Sequence, residues 1–270
     1  MQEFPKPQYI KWIIKENGIV FEDNIPLNSY RIDYDDTKED ILNEWAEHIR
    51  KHYISDNLLE KSMSSLNLTK QEYLSSYCIP QKIHTKGPST IAAEWAEILV
   101  YDLAEYVLNY ISLRGRHWNK ATPTSPIQGS DILAAKMFKE TSSPDDELFV
   151  IEVKASLSKC DYNTLVRGKN DSDADTFRHS LSLNFMRIKY MEANEDILMH
   201  IAERFQQKAN SPYKIRYGSA GIVTQKDIKD NTIKDINGAD LNIRVDNQIF
   251  LIHGERLMDL AYNLYERIIK

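Results

Sequence analysis

Two short strings carry residue types that do chemistry together: Gly129-Ser130-Asp131 and Glu152-Val153-Lys154. Side chains alternate faces along a β-strand, so residues two apart point the same way. The run from Leu148 to Ala155 is apolar at its start and rich in β-branched and aromatic residues, so it reads as a strand. On that strand Glu152 and Lys154 share a face, and Val153 points into the core. Asp131 precedes Glu152 by 21 positions, enough for a strand, a turn and a return strand. Ile132 to Phe138 supplies the outgoing strand, and Thr141-Ser142-Ser143-Pro144-Asp145-Asp146 is a cluster of turn formers. Such a hairpin brings Asp131 beside Glu152.

Two convergent carboxylates hold a hard divalent cation through oxygen, magnesium first and manganese as the alternative. The backbone carbonyl of Val153 is a further candidate ligand. An ion there stabilises charge on a scissile phosphate and acidifies a bound water. Lys154 orients that water, helps deprotonate it or contacts the phosphate. Taken alone, Glu-x-Lys also fits a solvated strand face bearing an ion pair.

Gly-x-Asp, about twenty residues, then Glu-x-Lys resembles the PD-(D/E)xK nuclease superfamily. The resemblance implies an α/β fold with an αβββαβ core: a mixed sheet flanked by helices. It also implies one more carboxylate from a helix before the first strand. Such a helix begins near Pro88, with Ser89 or Thr90 as cap and Ile91, Trp95, Ile98, Leu99, Leu103 and Val107 at helical spacing. Glu94 borders this stripe and Glu97 lies further round, so Glu94 is the expected ligand. Both acids equally fit a solvated first turn, where the helix dipole favours negative charge. The stretch from Pro88 to Asp161 further resembles the HamA family, the nuclease subunit of the Hachiman antiphage system. That resemblance implies a DNA-cleaving effector held in a complex with a helicase. One departure is the segment from Asn119 to Gln128, whose two prolines make the entry to Asp131 irregular.

Formal net charge is −6, which disfavours stand-alone binding to DNA, where phosphates call for cations. Residues 21–60 hold eleven acids against four bases and account for the whole deficit. By contrast Arg114, Arg116, His117 and Lys120 fall in a segment without a carboxylate, just before Asp131. Arg114, Arg116 and Lys120 are expected to meet the nucleic-acid backbone, or else to offset a helix C-terminus. Cys78 and Cys160 are far apart and fit reduced thiols in a cytoplasmic protein. No apolar run approaches the length of about 18 residues that reads as a membrane span, and no secretory signal opens the chain.

The sequence divides into an α+β N-terminal region over 1–86, expected to bind a partner, and a nuclease-like core over 87–270. Asn17-Gly18 predicts a hairpin between Ile10 and Glu22. Asp36 or Thr37 is expected to cap a helix running to His52, and Thr69 with Glu72 forms a capping box. Residues 159–175 read as a polar loop. Residues 176–209 read as helix, broken near Asn194, with Asn184, Arg187 and Lys189 as candidates to face the site. A strand over 215–224, a hairpin turn at Asp246-Asn247 and a last helix over 255–269 complete the chain. The reading is a magnesium-dependent DNA nuclease in a defence complex with a helicase. The alternative is a nuclease-fold interaction subunit that binds a partner or DNA without cutting.

Overall fold

A computed structural model of the chain describes residues 4–118, 120–174, 178–206, 212–241 and 247–270. After a 3-10 turn come β1 (Ile13–Glu16), β2 (Val20–Phe21), β3 (Asn28–Ile32), α1 (Glu39–Lys51), α2 (Asp56–Leu66) and α3 (Lys70–Tyr73). Next is α4 (Gly87–Asp102), continued by a π-helical turn to Val107, then β4 (Ile111–Ser112), β5 (Ile132–Lys136) and β6 (Glu147–Ser156). Three helices follow, α5 (Asn163–Ala174), α6 (Arg178–Ala193) and α7 (Asp196–Gln206). The chain ends with β7 (Lys214–Thr224), β8 (Thr232–Ile233), β9 (Asn247–Gly254) and α8 (Leu257–Ile268).

Seven strands form one mixed sheet in the order β1-β3-β9-β7-β6-β5-β4. The inner strands β3, β9, β7 and β6 run parallel, and β1, β5 and β4 pair antiparallel with their neighbours. Central parallel strands are covered on both faces, which explains why β6 is apolar on both faces as far as Ile151. Phe149, Ile151 and Val153 join one core with α1, α4 and α8, where Trp45 and Trp95 pack together. Leu148 and Val150 face the other way, into a core with α6 and α7. The succession α4, β4, β5, β6, helix, β7 is compatible with a nuclease-like α/β core.

The hairpin that positions the acids forms as the turn cluster predicts. Ile132 pairs with Ile151 and Lys136 with Glu147. Continuing that register by one residue sets Asp131 opposite Glu152. The last helix buries Leu257, Leu260, Leu264 and Ile268, and α1 buries Ile41, Leu42, Trp45 and Ile49. Thr69 and Glu72 close their capping box, and Asn194 breaks α6 from α7 at φ +57°.

Several expectations need correction. Asn17-Gly18 turns the chain, but β1 pairs with β3, and β2 pairs with β8 instead. Local turn chemistry is overridden there by pairing within the main sheet, where β3 is in turn held by β9. Helix α1 starts after Lys38 without a side-chain cap, because Asp35 is bonded to Thr37 instead. In α4 the hydroxyls of Ser89 and Thr90 donate back to the Lys86 carbonyl and do not cap. The boundary at residue 86 is no break in the sheet, since β3 pairs with β9 and the N-terminal helices share the α4 core. Most of 159–175 is helix α5, not loop: Asp161 receives the Asn163 N–H, and Leu165 is buried against the sheet. Asn119, Asp175, Phe177 and the turn at Asp246 lie outside the described residues.

The entry to β5 depends on Gly129, whose φ of +104° L side chains rarely adopt. A Cβ there would stand 2.5 Å from Ser182 Oγ on α6, and that same oxygen accepts the Ser130 N–H at 2.9 Å. Gly129→Ala is expected to cost about 1–3 kcal/mol through backbone strain alone. Thermal denaturation should show a melting temperature lower by several degrees. An unchanged value would contradict this close approach.

Candidate metal centre

Asp131, Glu152 and Lys154 come together where β5 begins and β6 continues past it. Asp131 Oδ2 accepts the Val153 N–H at 2.9 Å, which ties the carboxylate to β6. Tyr101 of α4 donates to the Asp131 carbonyl at 3.1 Å. Lys154 Nζ donates to Glu152 Oε1 at 2.7 Å and lies 2.8 Å from Asp171 Oδ2 on α5. Glu152 Oε2 is buried and has no hydrogen-bond partner among the described residues. Burial, reinforced by the charge of Asp131, pushes the Glu152 carboxyl up to about 7. Burial pulls the Lys154 ammonium down, but the bonds to Asp171 and Glu152 outweigh it and push it up to about 12. A buried, unpartnered acid oxygen beside a second carboxylate is what a bound cation satisfies. Asp131 and Glu152 are therefore the residues fit to hold a divalent metal.

Helix α4 adds Glu94 and Glu97 from the opposite face of the sheet, Glu94 buried and the Glu97 side chain 12% exposed. Glu94 is engaged by Lys120, through a short contact, and by Tyr53 at 2.7 Å. Glu97 is the acid joined to Asp131, by way of Arg116. The Arg116 guanidinium lies 3.0 Å from Glu97 through Nε and 3.0 Å from Asp131 through Nη2. It also donates to the carbonyls of Ser130 and Ile127. His117 lies between the two glutamates, 3.6 Å from Glu97 and 4.0 Å from Glu94. Burial first, and Arg116 next, hold the His117 imidazole well below its usual range, so it is neutral. Burial raises both glutamates, Glu97 strongly, with Asp131, Glu94 and Glu152 adding to it.

These groups line two adjoining spaces. A cleft of about 920 Å³ is bounded by Asp131, Glu152, Lys120 and the α6 residues Arg178, Phe185 and Lys189. A recess of about 310 Å³ is bounded by Glu94, Glu97 and His117. Arg116 lines both. Of the three α6 candidates, Lys189 faces the cleft. Its Nζ lies 4.6 Å from the Phe185 ring centroid and bonds the Trp118 carbonyl, and burial pulls its ammonium down to about 8. Arg187 instead bonds Asn184 and approaches Glu203.

The basic segment is corrected by this geometry. Arg114 is buried, with its guanidinium 2.8 Å from Asp102, 2.9 Å from Glu105 and 2.7 Å from His52. It has no face to offer a phosphate. Arg116 and Lys120 reach the cleft walls, but both are paired to site carboxylates. A second group of possible ligands, His48, His52 and Asp102, surrounds Arg114, whose charge already serves that cluster. Two residues escaped the sequence reading: Glu97, placed too far round the helix, and Asp171, assigned to a loop. The spacing of Glu94 and Glu97, three apart on one helix face, was the available signal.

The raised Glu152 carboxyl has a consequence for the metal-free protein. The folded chain keeps that proton up to about pH 7, while an unfolded glutamate loses it near 4.5. The folded state binds more protons between these values, so stability falls as pH rises through that window. The slope reaches about 1.4 kcal/mol per pH unit for one group. Urea unfolding at pH 5 to 7.5 should show a shallower slope for Glu152→Gln than for wild type. Equal slopes would contradict the assignment.

No curated protein matches the chain. Among the described residues no helix is long and apolar enough to cross a membrane. The HamA family model matches residues 7–268, nearly the whole length, and the chain belongs to the HamA family.

Proposed function

We propose that this chain is a divalent-metal-dependent DNA nuclease, the effector of an antiphage defence complex in which its partner is a helicase. Membership of the HamA family, the family of Hachiman defence, supports the defence role and a partner within a complex. The observation that carries the enzymatic reading is the buried Glu152 Oε2, left without a partner beside Asp131 and two residues from Lys154.

Asp131 and Glu152 would hold magnesium or manganese, with the Val153 carbonyl as backbone ligand. When bound, the ion supplies charge stabilisation at the scissile phosphate and a more acidic water. The Val153 N–H fixes Asp131 so that its carboxylate needs no reorganisation to bind. Lys154, held cationic by Glu152 and Asp171, is positioned to orient the attacking water or to steady the phosphate. Arg178 and Lys189 of α6 line the same cleft as the acids, and their charge suits a nucleic-acid backbone.

Cleavage of supercoiled plasmid, by the chain alone and with its helicase partner, tests this reading. Glu152→Ala and Lys154→Ala should each lose at least about 100-fold in rate, with unchanged circular dichroism. EDTA should stop cleavage by the wild type, and added manganese should restore it. Retained activity in both variants would overturn the assignment.

A further inference from the structure

The Asp131 and Glu152 reading leaves Glu97, Glu94 and Arg116 without a role. We infer that the centre takes a single divalent ion, at Asp131 and Glu152, and that Arg116 is its fixed second cation, withholding Glu97 from metal as Lys120 withholds Glu94. The inference rests on the metal-nuclease reading above.

The guanidinium is locked. Its Nε meets Glu97 and its Nη2 meets Asp131, each at 3.0 Å. Nη2 also bonds the Ile127 carbonyl at 3.1 Å, and Nη1 the Ser130 carbonyl. Bonded on several sides and almost fully buried, it is a built-in charge and not a mobile phosphate clamp. It also stands as a wall, with the Asp131–Glu152 cleft on one side and the Glu94–Glu97 recess on the other. Glu94 is occupied separately by Lys120 and Tyr53. Glu152, whose Oε2 has no hydrogen-bond partner among the described residues, lines the cleft, whereas Glu97 Oε2 is met by Arg116 Nε at 3.0 Å.

Charge balance points the same way. Glu97, Asp131 and Glu152 contribute three negative charges, and Arg116 and Lys154 two positive ones. Glu94 and Lys120 cancel. A first divalent ion answers that excess of negative charge, and a second would crowd positive charge beside Arg116, Lys154 and Lys189.

Calorimetric titration of manganese into the metal-free full chain reads stoichiometry and affinity directly, with no activity involved. Wild type should bind one ion per chain. Asp131→Asn should weaken binding by at least about tenfold. Glu97→Gln should keep one ion per chain and weaken it less than Asp131→Asn does, because Glu97 acts only through Arg116. Arg116→Met, checked for folding by circular dichroism, should admit a second ion, because Glu97 then faces Asp131 with no cation between them. Should that variant unfold, the wild-type and Glu97→Gln titrations decide alone. Two ions in wild type, or a loss of affinity in Glu97→Gln as large as in Asp131→Asn, would overturn the single-ion inference and leave the nuclease reading standing. One ion still in a folded Arg116→Met would remove Arg116 as the withholding cation. No ion at all in wild type would overturn the nuclease reading and this inference with it.

Discussion

Three carboxylates, Glu97, Asp131 and Glu152, are held almost out of water, close enough that Asp131 raises the proton affinity of the other two. Like charges in a low-dielectric setting repel strongly unless cations or hydrogen-bond donors answer them. Much of the surrounding structure supplies that answer. Arg116 spans Glu97 and Asp131, Lys154 meets Glu152, and the Val153 N–H closes on Asp131. The electrostatic demand of the site also ties the fold together. Through Arg116, α4 on one face of the sheet is joined to the acids on the other.

The same logic repeats two residues earlier. Arg114 turns inward to Asp102 and Glu105, both on the α4 stretch, and Asp102 is shared with His48 and Tyr9. Burial works against the Asp102 charge, yet His48 and Arg114 hold the carboxyl below its usual range. Arg114 and Arg116 thus strap the loop after β4 onto α4. A segment that looks like a basic arm in one dimension is, in three, the counter-charge of buried acids. Further polar groups of the cleft wall, Lys189 among them, come from α6, which meets Gly129 and Ser130 through Ser182.

The β5–β6 hairpin and its acid pair were legible because their signals are local: period-two alternation, a turn cluster between the strands, and Glu and Lys two apart on one face. The helix faces of α1, α4 and α8 were legible from period-3.6 spacing for the same reason. What stayed hidden depends on partners distant in sequence. Strand β1 prefers β3 over the strand that follows Asn17-Gly18, and β3 lies beside β9, more than 200 residues on. Helix α5 was masked by its run of aspartates, although Asp161 just before it is an ordinary helix-start residue. Whether Glu94 or Glu97 meets Asp131 depends on where Arg116 sits, which no spacing along α4 encodes.

The central claim is that the fold holds Asp131 and Glu152 ready for a cation. A crystal of the protein soaked in manganese, with anomalous scattering recorded at the metal edge, tests it most directly. The account predicts a peak bounded by the Asp131 and Glu152 carboxylates, on the cleft side of Arg116. A peak at His48, His52 and Asp102 instead, or none near Glu152, would contradict it.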